Sequence, residues 1–125
     1  METGLHAALT KRIIGCAIEV HAHLGPGLLE SVYEAALCIE LEREGLSSTR
    51  QLMMPIRYKG ETIAEFKPDL VVHESVVVEI KSVERLDPIH AAQMLTYLRI
   101  TGLRVGLLLN FNSTMLHSGI RRIVL

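Results

Sequence analysis

The sequence predicts an α/β (α+β) fold in which a mixed β-sheet is flanked by helices. Three observations carry this reading. Helical apolar spacing fills the first third, short β-branched runs fill the middle, and one further helical stretch separates those runs from two more. The first helix is expected from about Leu5 to Leu24, where Leu9, Ile13, Ala17 and Val20 recur at helical spacing beside Ile14 and Ile18. Gly25-Pro26-Gly27 stops it, because proline cannot continue a helix and glycine accepts the turn geometry. A second helix follows from about Leu28 to Glu44, ended by Gly45. Strands are expected over Arg50 to Tyr58, from about Thr62 to Val72, and over Val76 to Ser82, with a turn at Lys59-Gly60 between the first two. Asp87 can cap a third helix with Pro88 at its first position, running to about Thr101 with Gly102 as terminator. Val105 to Asn110 reads as a buried strand and Gly119 to Val124 as a last short one. The order α, α, β, β, β, α, β, β shows no internal repeat and no linker, and the length predicts one domain over residues 1–125.

Bulk properties narrow the function classes. Hydrophobic residues make up 49% of the chain, enough for a real core. The 13 basic and 14 acidic residues leave a net charge of −1, which argues against tight, nonspecific nucleic-acid binding as the chain's purpose. An enzyme that holds a phosphodiester through a metal and a local patch stays open, and Arg99, Arg104, Arg121 and Arg122 are candidates for such a patch or for an ordinary solvated surface. Cys16 and Cys38 form no Cys-x-x-Cys pair, so reduced core thiols are expected rather than a zinc site or disulfide. Met1 to Leu9 carries Glu2 and His6 and has no basic start before an apolar stretch, so no signal peptide is expected. Apolar runs such as Val105 to Leu109 are too short to span a bilayer. A cytoplasmic protein without membrane contact is expected, and the high apolar content suggests a homodimer.

The chemistry is concentrated in the middle of the chain. Pro68-Asp69 precedes Leu70-Val71-Val72, and Glu79-Ile80-Lys81 follows Val76-Val77-Val78. Charges inside apolar strands cost free energy unless something compensates them, and a divalent cation is one compensator. Alternation puts Val77, Glu79 and Lys81 on one face and Val76, Val78 and Ile80 on the other. If His73-Glu74-Ser75 is a three-residue hairpin loop, Val72 faces Val76 and Asp69 lies across from Glu79. Two carboxylates and an ammonium then share a small patch. Such a patch suits metal-assisted hydrolysis, since Mg²⁺ takes oxygen ligands and usually only one or two protein carboxylates. A lysine two residues beyond a ligand can hold the attacking water or stabilise the oxyanion. The alternative is a cross-strand salt bridge on a solvated face.

Other polar residues gather at regular spacing. Glu30, Tyr33, Leu37 and Leu41 lie on one stripe of the second helix, where Glu30 is either a functional acid or a first-turn glutamate favoured by the helix dipole. His90, Gln93 and Tyr97 share one face of the third helix, as a cleft lining or as plain polar surface. His21 and His23 lack a third metal ligand nearby, so a hydrogen-bonding role at the helix end suits His21 better.

Gly27-x-x-Glu30-x-x-Tyr33, preceded by His21 and Leu24-Gly25-Pro26, resembles the signature of the GxxExxY family of small prokaryotic proteins. The resemblance runs from about Ile13 to the closing Gly119-Ile120-Arg121-Arg122-Ile123. That family is placed within the PD-(D/E)xK nuclease-like superfamily, whose restriction-endonuclease-like core is α-β-β-β-α-β. Pro68-Asp69 with Glu79-Ile80-Lys81 resembles the superfamily's defining motif, and Gln93-x-x-x-Tyr97 is similar to the Gln-x-x-x-Tyr helix of one of its nuclease branches. The resemblance implies that Glu30, Asp69 and Glu79 bind Mg²⁺ or Mn²⁺ and that Lys81 assists the attacking water. It implies further that Gln93 and Tyr97 line the cleft, with His21, Tyr33 and His90 expected around it. The expected function is a metal-dependent nuclease, on DNA before RNA. A silent module of the same fold that binds nucleic acid or a partner protein is the alternative, and hydrolysis of a small nucleotide lacks a Gly-rich phosphate loop.

Overall fold

In the computed structural model, which describes residues 4–125, two helices precede the sheet and a third crosses it. Met1-Glu2-Thr3, where the leader expectation begins, lies outside the described residues. Helix α1 spans Ala7–Leu24 and α2 spans Glu30–Arg43. Strands β1 (Ser48–Arg50), β2 (Met54–Tyr58), β3 (Glu61–Phe66), β4 (Leu70–Val72) and β5 (Val76–Lys81) follow, then α3 (Pro88–Thr101). Strand β6 is Val105–Asn110, and a 3₁₀ turn at Leu116–Gly119 leads into β7, Ile120–Val124.

The main sheet has the order β1-β4-β5-β6-β7, with β5 and β6 parallel and every other neighbouring pair antiparallel. This is the mixed, helix-flanked sheet that the element order predicts. Helix α3 makes the crossover that two parallel strands require. The sheet is buried on both faces: all of β6 and β4, and β5 as far as Ile80, are buried. Val76, Val78 and Ile80 meet Ile13, Ala17, Tyr33, Leu37 and Leu41 of α1 and α2 on one face. Val77 and Leu108 meet Met94 and Leu98 of α3 on the other. Gly106 makes room there, because a Cβ at that position would lie 2.3 Å from Met94 Sδ. Ile18, expected on the packed side of α1, is exposed, and Cys16 is buried in the stripe instead.

Two strand expectations need correction. The run Arg50 to Tyr58 is two strands in different sheets, because the backbone turns at Gln51, whose φ is +53°. The run Thr62 to Val72 is broken after Phe66, where Pro68 offers no N–H to a ladder. The freed segments β2 and β3 pair only with each other, as an antiparallel ribbon with a bulge beside Ile56 and Arg57. That ribbon packs over α3 through a stack of Phe66 on Tyr97, with ring centroids 4.0 Å apart. No helix among the described residues is long and apolar enough to cross a membrane.

Candidate active site

The hairpin between β4 and β5 has the register that its loop implies. Val72 pairs with Val76, Val71 with Val77 and Leu70 with Val78, so the next rung sets Asp69 against Glu79. His73 and Glu74 both take positive φ, and Ser75 N–H donates to Val72 O at 3.0 Å, which closes the loop without a glycine. Asp69 Oδ2 accepts the Ile80 N–H at 2.8 Å, locking one site acid onto the backbone beside the other.

Glu79 is 7% exposed and its Oε1 is fully buried with no hydrogen-bond partner among the described residues. Burial pushes its carboxyl up to about 8, the Asp69 charge and a hydrogen bond to Asp69 push the same way, and the Lys81 ammonium opposes them. In the protonated form Glu79 donates to Asp69. In the ionised form two carboxylates face each other in a dry site, with one oxygen lacking any donor. Tyr97 closes the α3 side: burial first, then the charges of Glu79 and Asp69, raises its phenol. Gln93 is exposed one turn earlier on the same face of α3.

A hard cation fits this pair. Its donor set is all oxygen, one donor is buried and unsatisfied, and one or two protein carboxylates are the usual protein share for Mg²⁺. The third expected acid is not there. Among the described residues no group of three His, Cys, Asp or Glu side chains converges as a metal-holding cluster. Helix α2 packs on the β5 face formed by Val76, Val78 and Ile80, opposite to Glu79 and Lys81. From that side Glu30 reaches the end of β5, where its Oε2 accepts the Ser82 N–H at 3.0 Å and Ser82 Oγ donates to Leu28 O at 2.9 Å.

The structure thus brings together Asp69, Glu79, Lys81 and Tyr97, and gives other expected site residues architectural contacts. Tyr33 is fully buried and stacks on Phe111 at 4.5 Å. Its hydroxyl donates to Gly25 O at 2.6 Å and accepts the Leu28 N–H at 3.0 Å, so it holds the glycine turn between α1 and α2. His21 Nε2 lies 2.7 Å from Ser113 O, tying α1 to the loop after β6. His90 Nδ1 accepts the Asp87 N–H at 2.9 Å in the capping box of α3. Tyr33→Phe is expected to leave two backbone groups without their partner and cost about 1–3 kcal/mol. Urea unfolding should show a lower midpoint at unchanged slope.

Two polar residues outside the expected set frame the site. Glu34, 8% exposed, accepts from Arg50 Nε at 2.9 Å and Nη2 at 2.7 Å, pinning β1 to α2. It keeps the same three- and seven-residue spacing from Leu37 and Leu41 as the stripe around it, and that spacing is the signal that marks it in the sequence. Asn110, 1% exposed, accepts the Val83 N–H at 3.1 Å and donates to Val83 O at 2.9 Å. With Phe111 N–H on Lys81 O at 2.9 Å, it fixes the backbone at and just after the lysine.

Comparison with known proteins gives one finding of family. A family model described as the PD-(D/E)XK nuclease superfamily matches residues 7–123. No curated protein matches the chain, and no solved structure does. Nucleases of that superfamily generally use divalent metals, in agreement with the oxygen donors assembled here. The matched span takes in every helix and the Asp69, Glu79 and Lys81 cluster, and the chain belongs to the PD-(D/E)XK nuclease superfamily.

Proposed function

We propose that the chain is a Mg²⁺- or Mn²⁺-dependent nuclease that hydrolyses phosphodiester bonds, in DNA before RNA, as a member of the GxxExxY group of the superfamily. The observation that carries the reading is the buried, unpartnered Glu79 oxygen beside Asp69, a donor that a cation would satisfy. Asp69 and Glu79 are the assigned ligands. Bound there, the cation would lower the pKa of a coordinated water and neutralise phosphoryl charge. Lys81, its backbone fixed at its own carbonyl by Phe111 and two residues on by Asn110, would hold that water or the oxyanion. Tyr97, stacked on Phe66, shields the carboxylates and limits the approach of bulk water. Two copies acting on opposite strands are the proposed assembly for duplex cleavage, and a clean monomer by light scattering would remove that part.

The test is metal-supplemented cleavage of DNA and RNA by wild type, Asp69→Ala and Lys81→Ala. Each variant is expected to lose at least about a hundredfold in rate. Equal activity in all three proteins, or none in wild type on either polymer, would overturn the reading. Glu30 Oε2 is engaged by the Ser82 N–H, and Glu30→Gln separates an anchoring role from a ligand role. Glutamine keeps an acceptor for the Ser82 N–H, so an anchor survives the change and a ligand does not. The lack of a three-acid cluster among the described residues favours a second reading, a silent module that binds nucleic acid or protein. Calorimetry with Mn²⁺ discriminates: saturable binding abolished by Glu79→Ala belongs to the nuclease, and no binding to the module.

A further inference from the structure

We propose that the groove between β2 and α3 is a phosphate subsite that holds a nucleic-acid strand beside the carboxylate pair, an inference that rests on the nuclease reading. The groove has a volume of about 340 Å³ and is lined by Pro55, Arg57, Thr96, Arg99 and Ile100. Folding of the ribbon over α3 brings two arginines from distant parts of the sequence to one groove, Arg57 from β2 and Arg99 from α3. Both are exposed, and neither guanidinium has a hydrogen-bond or ion-pair partner among the described residues. No acidic residue lines the groove. Like charges lining one groove repel, and an anion between them relieves the repulsion. In a chain of net charge −1 the pair is a local concentration, not a sample of a basic surface. Guanidinium forks match phosphate oxygens two at a time, so a phosphodiester is the anion they fit.

Position identifies which phosphodiester. Thr96 of the groove adjoins Tyr97, which stacks on Phe66 of the ribbon, and α3 packs on the β5 face that carries Val77 and Glu79. Groove and carboxylates therefore lie on two flanks of one aromatic stack. A strand whose scissile phosphate sits at the carboxylates passes a neighbouring phosphate into the groove. Glu65, paired across the ribbon from Pro55 of the groove, is an acid whose charge opposes anion binding there.

The test uses the full chain in EDTA, so that binding is read without cleavage. A short labelled single-stranded DNA and its duplex are titrated by fluorescence anisotropy at several salt concentrations, with inorganic pyrophosphate as competitor. Arg57→Ala and Arg99→Ala are each expected to weaken binding on the order of tenfold. For the duplex, the double variant is expected to flatten the salt dependence by roughly 0.9, the share of the one phosphate no longer neutralised. Arg57→Lys should keep most of the salt dependence, and Glu65→Gln should tighten binding. Unchanged affinity in the double variant, or no binding by wild type at low salt, overturns the subsite. Pyrophosphate binding as tightly as the strand overturns the strand assignment. Failure of the nuclease reading is separate, appearing as absent Mn²⁺ binding while the oligonucleotide still binds.

Discussion

Glu79→Gln is expected to abolish metal-dependent cleavage while making the metal-free protein more stable at alkaline pH. The loss of activity follows from removing one of the two carboxylates proposed as ligands. The gain in stability follows from burial. Glu79 titrates near 8 in the folded chain against 4.5 in the unfolded one, so between those values the native state holds a proton that the unfolded state has released. Stability therefore falls as pH rises. The favourable share is complete below about 4.5 and is lost as pH climbs through 8. The gap between 4.5 and about 8, at 1.36 kcal/mol for each pH unit, sets an upper limit of about 5 kcal/mol. Glutamine keeps a donor toward Asp69 and does not ionise. Urea unfolding in EDTA from pH 5 to 9 should show wild type dropping below Glu79→Gln by several kcal/mol. Parallel curves for the two proteins would refute the buried titration.

Stability and metal binding are linked through the same proton. At neutral pH a site that titrates near 8 is mostly protonated, so a cation displaces about one proton as it binds. Calorimetry of Mn²⁺ binding in buffers of different ionisation enthalpy should report that proton in wild type. Added metal should raise the unfolding midpoint of wild type and leave Glu79→Gln unmoved. The site is then a place where the fold gives up stability that its ligand returns.

Much of this site is legible in the sequence because strand periodicity and one loop length decide it. The His73-Glu74-Ser75 loop fixes the rung that opposes Asp69 and Glu79, and alternation carries Lys81 to the same face. Helix ends follow from Gly25-Pro26 and Gly102, whose backbone geometry no other signal needs to supply. Periodicity says nothing, however, about which face of a sheet a helix will cover. The family resemblance implies that Glu30 and Glu79 converge, yet α2 packs against Ile80 while Glu79 points toward α3. The detached ribbon is hidden for a related reason. Residues 50–58 and 62–72 read as continuous extended runs, and only the turn at Gln51 and the break at Pro68 assign their halves to different sheets.

Arg50→Ala is expected to weaken the fold and, through it, the site. Arg50 Nε and Nη2 both donate to Glu34 Oε2, and the other carboxylate oxygen has only Gln51 Nε2 at 3.4 Å. Removing one partner of a fully buried pair costs about 3–5 kcal/mol, because the remaining charge stays desolvated. Here the Arg50 side chain is 49% exposed and that of Glu34 only 10%, so water can reach part of the gap. A loss of about 2–3 kcal/mol is the corresponding expectation. Glu34→Leu added to Arg50→Ala should recover most of it, since a hydrophobic replacement removes the stranded charge. The consequence reaches the site through the backbone. Arg50 pairs with Leu70, and Gln51 N–H donates to Asp69 O at 3.3 Å, so loosening β1 loosens the strand that presents Asp69. Cleavage by Arg50→Ala, measured well below its unfolding midpoint, should fall by less than in Asp69→Ala. An unfolding midpoint equal to wild type would show that Glu34 is held by β1 without its arginine.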